Sequence, residues 1–283
     1  MNPSALDPRT HPYRADLAAD WLAGRVKAGR FVAGDDHVVV RGSAPLRRAP
    51  AAGARRDSEL LYGERFTVFE TAVGWAWGQN QTDGYVGYVA AGDLAPWGDT
   101  PAPDHEVTAL RTPVLPTPDL KEPATDYLHL TCRVAVTART GDYLEFAGGW
   151  LYAAHLAPLT ALDADVIATA RRFLHTPYLW GGRSSFGLDC SALVQLALAR
   201  AGRAVPRDSD QQEATLGTLV PGGVAAAEAG DLVFCPGHVG WVSGPDRLLH
   251  ANAHHMAVAE EPLSAFVARI AARGLAISSV RRL

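Results

Sequence analysis

Two stretches of the chain end alike, "VAAGDLAP" at 89–96 and "YAAHLAP" at 152–158. Each closes a region of short runs rich in Val, Tyr, Phe, Trp and Thr and broken by Gly, Asp and Asn. The first region holds "HVVVRG", "ERFTVFE", "GWAWGQ" and "GYVGYVA", and the second holds "CRVAVTART" and "GDYLEFAGG". Runs of this length and composition between turn residues form antiparallel strands. "APLRRAP" at 44–50 also matches "TPVLPTP" at 112–118 in proline spacing. The first 160 residues therefore read as two related small β-barrels, 37–98 and 104–159, joined by the Pro-rich "GDTPAPD". Residues 1–36 are expected to form a helical segment, because Leu17, Trp21, Leu22 and Val26 recur at helical spacing with charges opposite.

Beyond residue 160 the texture becomes helical. "DADVIATARRFLH" predicts a helix capped by Asp163, with Val166, Ile167, Ala170, Phe173 and Leu174 on one stripe. Asp189 is placed to cap a second helix over 190–201, apolar on nearly every face and stopped before Gly202. Strands follow at "DLVFC", "HVGWVS" and "LLHAN", then a helix near 264–273. A helix with a cysteine in its first turn, followed by an antiparallel sheet carrying histidines, is the papain-like layout. The predicted fold class is thus α+β, two small β-barrels followed by a papain-like domain over 160–283.

With 283 residues the chain has room for more than one domain. Its net charge of −4 and pI near 6.2 argue against nucleic acid and anionic membranes as partners. Three scattered cysteines, Cys132, Cys190 and Cys235, make no disulfide framework and fit a reducing compartment. The first twenty residues hold no apolar run behind a basic one, so the protein is expected to be cytoplasmic.

The chemistry centres on "GLDCSALV" at 187–194. A thiol at a helix start lies beside unpaired N–H groups and the positive end of the helix dipole, which favour the thiolate. His238 opens one strand and His250 closes the next, a separation that suits opposed positions on a hairpin. His250 would then hold His238 in the tautomer that serves Cys190 as base. A competing reading takes "CPGH" and "HANAH" as a zinc site of Cys235, His238, His250 and His254, but it leaves Cys190 unexplained. Cys132 and Cys235 read as structural, and His254 and His255 as solvated.

"TPYLWGG", "LDCSALV", "PRDSDQQ", "GDLVF", "GHVGWV" and "LLHA", in that order over 160–283, resemble the NlpC-type family of bacterial cell-wall cysteine peptidases. With "SELLYGE" and "DGYVGYV" ahead of them, the whole chain is similar to the subgroup of γ-D-glutamyl-L-diamino acid endopeptidases with SH3-like barrels. The resemblance implies hydrolysis of the bond between D-Glu and the diamino acid in free murein tri- and tetrapeptides of the L-Ala-γ-D-Glu-diaminopimelate type, with no metal or cofactor. It implies Cys190 as nucleophile, His238 as base and His250 as orienting group. Tyr178 matches a tyrosine lining the substrate cleft, and Asp189, Ser191 and Ser209 are binding candidates. Glu64 and Tyr85 match an acid and a phenol that hold the free amine of L-Ala, with Glu59 a substitute for Glu64. A thiol amidase or acyltransferase on the same fold, and an inactive wall-binding protein, are the alternatives.

Overall fold

The computed structural model describes residues 6–98 and 100–283. The chain divides into two compact units, Met1–Thr160 and Ala161–Leu283.

The first unit is built of β-structure. Its main sheet has seven strands in the order Arg56–Leu61, Ser43–Arg47, Val86–Ala90, Trp75–Asn80, Arg65–Ala72, Asp35–Val39, Leu94–Pro96. Val39, Leu46, Leu60, Phe66 and Val89 bury its core. Three smaller sheets follow within 105–158.

The repeat is realised in three dimensions. A 3₁₀ turn at Ala91–Asp93 leads into the strand Leu94–Pro96, and a second at Ala153–His155 leads into Leu156–Pro158. Each Leu-Ala-Pro strand pairs antiparallel with the strand that opens its own region, His37 opposite Pro96 and His105 opposite Pro158. The two regions meet at Gly42, where a Cβ would stand 1.8 Å from the Tyr127 carbonyl oxygen. The Cys132 thiol closes the same junction, accepting from the His129 N–H at 3.2 Å and donating to the Gly42 carbonyl.

The helix expected within 1–36 from the spacing of Leu17, Trp21, Leu22 and Val26 does not form. Leu17–Ala19 is a short strand paired parallel with Arg30–Val32, with only the turn Asp20–Leu22 of 3₁₀ helix between them. Three consecutive residues, Leu17, Ala18 and Ala19, are all fully buried, which a helix with one apolar face cannot achieve. Leu17, Ala19 and Leu22 pack against Phe69 and Trp77, whereas Trp21 is 49% exposed. Tertiary burial overrides the spacing here, and Gly24 at φ +77° breaks any helix that would continue.

The second unit has four helices and a six-stranded antiparallel sheet. The sheet runs in the order Thr218–Leu219, Ser279–Arg282, Leu232–Cys235, His238–Gly244, Arg247–Asn252, Ala257–Pro262. Helix α1 (Val166–Arg171) starts at Asp165 rather than Asp163. The Asp165 carboxylate accepts the N–H groups of Ile167 and Ala168, both at 2.9 Å, while Asp163 is held by Arg200 and Thr169. Helix α2 (Cys190–Arg200) is capped by Asp189 and buried along nearly its whole length. Its apolar residues on every face demand that position. It lies against α1 and the strands that carry the two histidines. Two further helices are α3 (Ser209–Thr215) and α4 (Leu263–Ala271). Among the described residues, no helix is long and apolar enough to cross a membrane.

Candidate active site

Cys190 is the first residue of α2 and is 7% exposed. The backbone N–H of Val239, the residue after His238, points at its sulfur. The thiol thus sits against the start of the strand His238–Gly244. His238 Nε2 and His250 Nδ1 are 2.8 Å apart, and His238 directly precedes the Val239 whose N–H points at the Cys190 sulfur.

The pairing of the histidines differs from the expected opposed positions. Trp241 lies across from Leu249, and one step along the ladder Gly240 lies across from His250. His238 therefore reaches His250 diagonally, over a residue without a side chain. A Cβ at Gly240 would come within 3.0 Å of the His250 Cβ and 2.9 Å of the Leu248 Cδ1. Phe266 of α4 covers both rings at centroid distances of 5.6 and 5.2 Å.

Electrostatics at the thiol run against the helix-start expectation. Burial, with the Asp189 carboxylate next to it, pushes the Cys190 thiol up to about 12, and the Val239 N–H and Arg207 only partly offset this. Burial likewise lowers His238 to about 4 and, together with His238 itself, His250 to about 3. Burial thus favours the neutral thiol and the neutral imidazoles when the site is at rest.

Four residues that the sequence reading left without a role complete the surroundings. Arg207 is 1% exposed and grips Asp189 with two N–H groups at 2.9 and 2.6 Å, while also donating to Ser191 Oγ. Glu261, on the strand Ala257–Pro262, accepts from His250 Nε2 at 2.8 Å. Arg269 of α4 grips Glu261 in turn, at 2.7 Å for one of the two contacts. Phe266 is the fourth. "PRDSDQQ" and "AEEP" carried the polar signals, but a lone arginine or glutamate has no periodicity to mark it as buried.

The binding candidates fall in several settings. Tyr178 is half-buried, and burial plus the nearby Cys190 raise its phenol above the ordinary range. Asp189 accepts from Gly181, Ala192, Ser191 and Arg207, so its carboxylate organises the start of α2. Ser191 joins the same network. Ser209 opens α3 and is half-buried. In the first unit, the Glu64 carboxylate accepts from the Leu61 N–H at 3.0 Å and the Asn80 amide at 3.3 Å. Glu59 pairs with Arg56 at 3.1 Å, and Tyr85 is 6% exposed and packs within the core of the main sheet.

The zinc grouping of Cys235, His238, His250 and His254 does not assemble. Among the described residues, the metal-type ligand atoms that gather within 4.8 Å belong to His250, His255 and Glu261. Arg269 already occupies Glu261, so a cation there would face a fixed positive charge.

Both parts of the chain resemble known proteins. Residues 175–270 match the NlpC/P60 family, and residues 46–94 match the bacterial dipeptidyl-peptidase SH3 domain. A γ-D-glutamyl-L-lysine dipeptidyl-peptidase of Bacillus subtilis is 39% identical over 95 residues, 31% of each chain. Dipeptidyl-peptidase 6 of Lysinibacillus sphaericus is 33% identical over 121 residues, 42% of this chain and 44% of that protein. The chain thus spans less than half the length of these curated relatives. The crystal structure of an NlpC/P60 family protein from Bacillus cereus superposes with a TM-score of 0.73 at 19% identity, covering 87% of this chain and 99% of that one, a likeness of fold.

Proposed function

With a second unit that belongs to the NlpC/P60 family of peptidoglycan cysteine peptidases, preceded by an SH3 domain of the bacterial dipeptidyl-peptidase type, we propose that this protein hydrolyses the bond between γ-D-Glu and the diamino acid of free murein peptides. The observation that carries the proposal is the thiol at the start of a buried helix, set against a strand whose first histidine is hydrogen-bonded at 2.8 Å to a second. The names of the relatives support the choice of bond. Both β regions of the first unit act as SH3-like modules, and the protein works on recycled peptides in the cytoplasm.

The proposed reaction needs only groups of this chain. Cys190 Sγ attacks the γ-carbonyl carbon as His238 takes the thiol proton. N–H groups at the start of α2 hold the oxyanion. His238 then returns the proton to the departing amine, the C–N bond breaks, and a thioester remains. Water activated by the same histidine cleaves the thioester and restores the thiol. Tyr178 lines the acyl side of the site. Selectivity for an unblocked L-Ala amine is part of the same reading.

The test compares L-Ala-γ-D-Glu-diaminopimelate with its N-acetylated form and with intact sacculi. The free peptide should be cleaved at least about 100-fold faster than the acetylated one, equivalent to roughly 3 kcal/mol. Equal rates would remove the amine selectivity. Failure to cleave the γ-bond of any of the three would overturn the proposal.

A further inference from the structure

Behind the His238–His250 pair the hydrogen-bond chain does not end. It continues through His250 Nε2 to Glu261 at 2.8 Å and from Glu261 to Arg269. His250 is fully buried, Glu261 is 8% exposed, and Phe266 packs over both imidazoles, so water does not compete for these contacts. We propose that Glu261, held by Arg269, is a positioning residue that fixes the tautomer of both histidines and so leaves His238 Nδ1 as the only ring nitrogen able to accept a proton.

Donor and acceptor inventories fix where the protons lie. An ionised carboxylate can only accept, so the proton between His250 and Glu261 resides on His250 Nε2. Arg269 keeps the carboxylate ionised: burial pushes Glu261 up, but the guanidinium and His250 outweigh it and hold the group at about 2. A neutral imidazole carries one N–H, which leaves His250 Nδ1 as an acceptor. The proton in the 2.8 Å contact must then come from His238 Nε2, and the lone pair of His238 falls on Nδ1. Without the carboxylate, both rings can reverse together. His238 would then carry hydrogen on Nδ1 and accept on Nε2, with no lone pair left for the thiol. The inference rests on the proposed Cys190–His238–His250 chemistry and adds to it the group that gives the chain its direction.

The charged and titratable groups facing the pair come from every surrounding element. Cys190 and Asp189 stand at the start of α2, with Tyr178 and Arg207 beside them. Glu261 comes from the edge strand, Arg269 from α4 and His255 from the turn at 253–256. Among them Glu261 alone accepts from a ring nitrogen of His250 other than the one facing His238.

The test combines kinetics with a spectroscopic readout. In the intact protein, long-range ¹⁵N–¹H correlation at pH 7.5 should show His238 and His250 both as Nε2–H tautomers. Glu261→Gln offers His250 either a carbonyl or an amino group, so both rings should show tautomer mixing. Its kcat on murein tripeptide should fall at least about tenfold with KM within twofold. Glu261→Asp, which keeps the charge, should recover part of the loss. The acid limb of kcat/KM should move to lower pH in Glu261→Gln, since the carboxylate supports protonation of both histidines. An Nδ1–H tautomer on either ring of the intact protein, or a Glu261→Gln variant with unchanged kcat, would overturn the inference. If the intact protein cleaves no murein peptide, the proposed function fails while the tautomer measurement still decides this point.

Discussion

Arg207→Met attacks the ion pair beneath the nucleophile. Arg207 is 1% exposed and binds both oxygens of Asp189, at 2.9 and 2.6 Å, so the substitution strands a carboxylate that is 7% exposed. Removing one partner of such a pair costs about 3–5 kcal/mol. The N–H groups of Gly181 and Ala192 and the Ser191 hydroxyl still satisfy Asp189 in part, which places the expectation at the lower end, about 3 kcal/mol. With a urea m-value of ~2 kcal/mol/M, the unfolding midpoint should fall by about 1.5 M. Asp189→Asn combined with Arg207→Met should cost clearly less than the sum of the single changes, because the stranded charge is then gone. The same pair gives a signed effect on the thiol. Asp189 raises Cys190 and Arg207 lowers it, so Asp189→Asn should speed alkylation by iodoacetamide at pH 8 and Arg207→Met should slow it. A loss below about 1 kcal/mol for Arg207→Met, or alkylation rates moving in the same direction in both variants, would refute the reasoning.

Cys132→Ala and Cys235→Ala should retain peptidase activity, because neither thiol belongs to the site, and stoichiometric zinc in the intact protein together with activity loss in Cys235→Ala would restore the metal reading. Gly42→Ala should destabilise the first unit by several kcal/mol in thermal unfolding, since its Cβ would stand 1.8 Å from a backbone oxygen, and an unchanged Tm would contradict the packing described. His238 and His250 have folded values of about 4 and 3, below the ordinary 6.5, so the unfolded chain takes up protons first on acidification. Their contribution is complete above pH 6.5 and declines as pH falls toward those values, by at most roughly 1.4 kcal/mol per pH unit for each group. Urea midpoints at pH 7.5 and pH 5 that coincide would speak against that burial.

What the sequence made legible was whatever carried a local signal. The capping Asp189, the apolar run behind Cys190 and Gly202 at its end define α2 almost to the residue. The doubled Leu-Ala-Pro ending marked a real structural repeat. Illegible features were those decided by distant partners. Residues 14–28 have helical spacing, yet Phe69 and Trp77 draw Leu17, Ala19 and Leu22 into a strand and a turn. The diagonal reach of His238 depends on Gly240, whose empty side chain says nothing without the register. The upward shift of the thiol follows from the burial of Cys190 and the Asp189 carboxylate beside it, neither of which a helix-start position reveals.

As the proposed nucleophile, Cys190 should be required for cleavage of one particular bond. L-Ala-γ-D-Glu-diaminopimelate incubated with the intact protein should yield L-Ala-D-Glu and free diaminopimelate by mass spectrometry. The same incubation with Cys190→Ala, in which a buried thiol becomes a methyl with little loss of volume, should yield neither. Cleavage at a different bond, or equal cleavage by Cys190→Ala, would contradict the account.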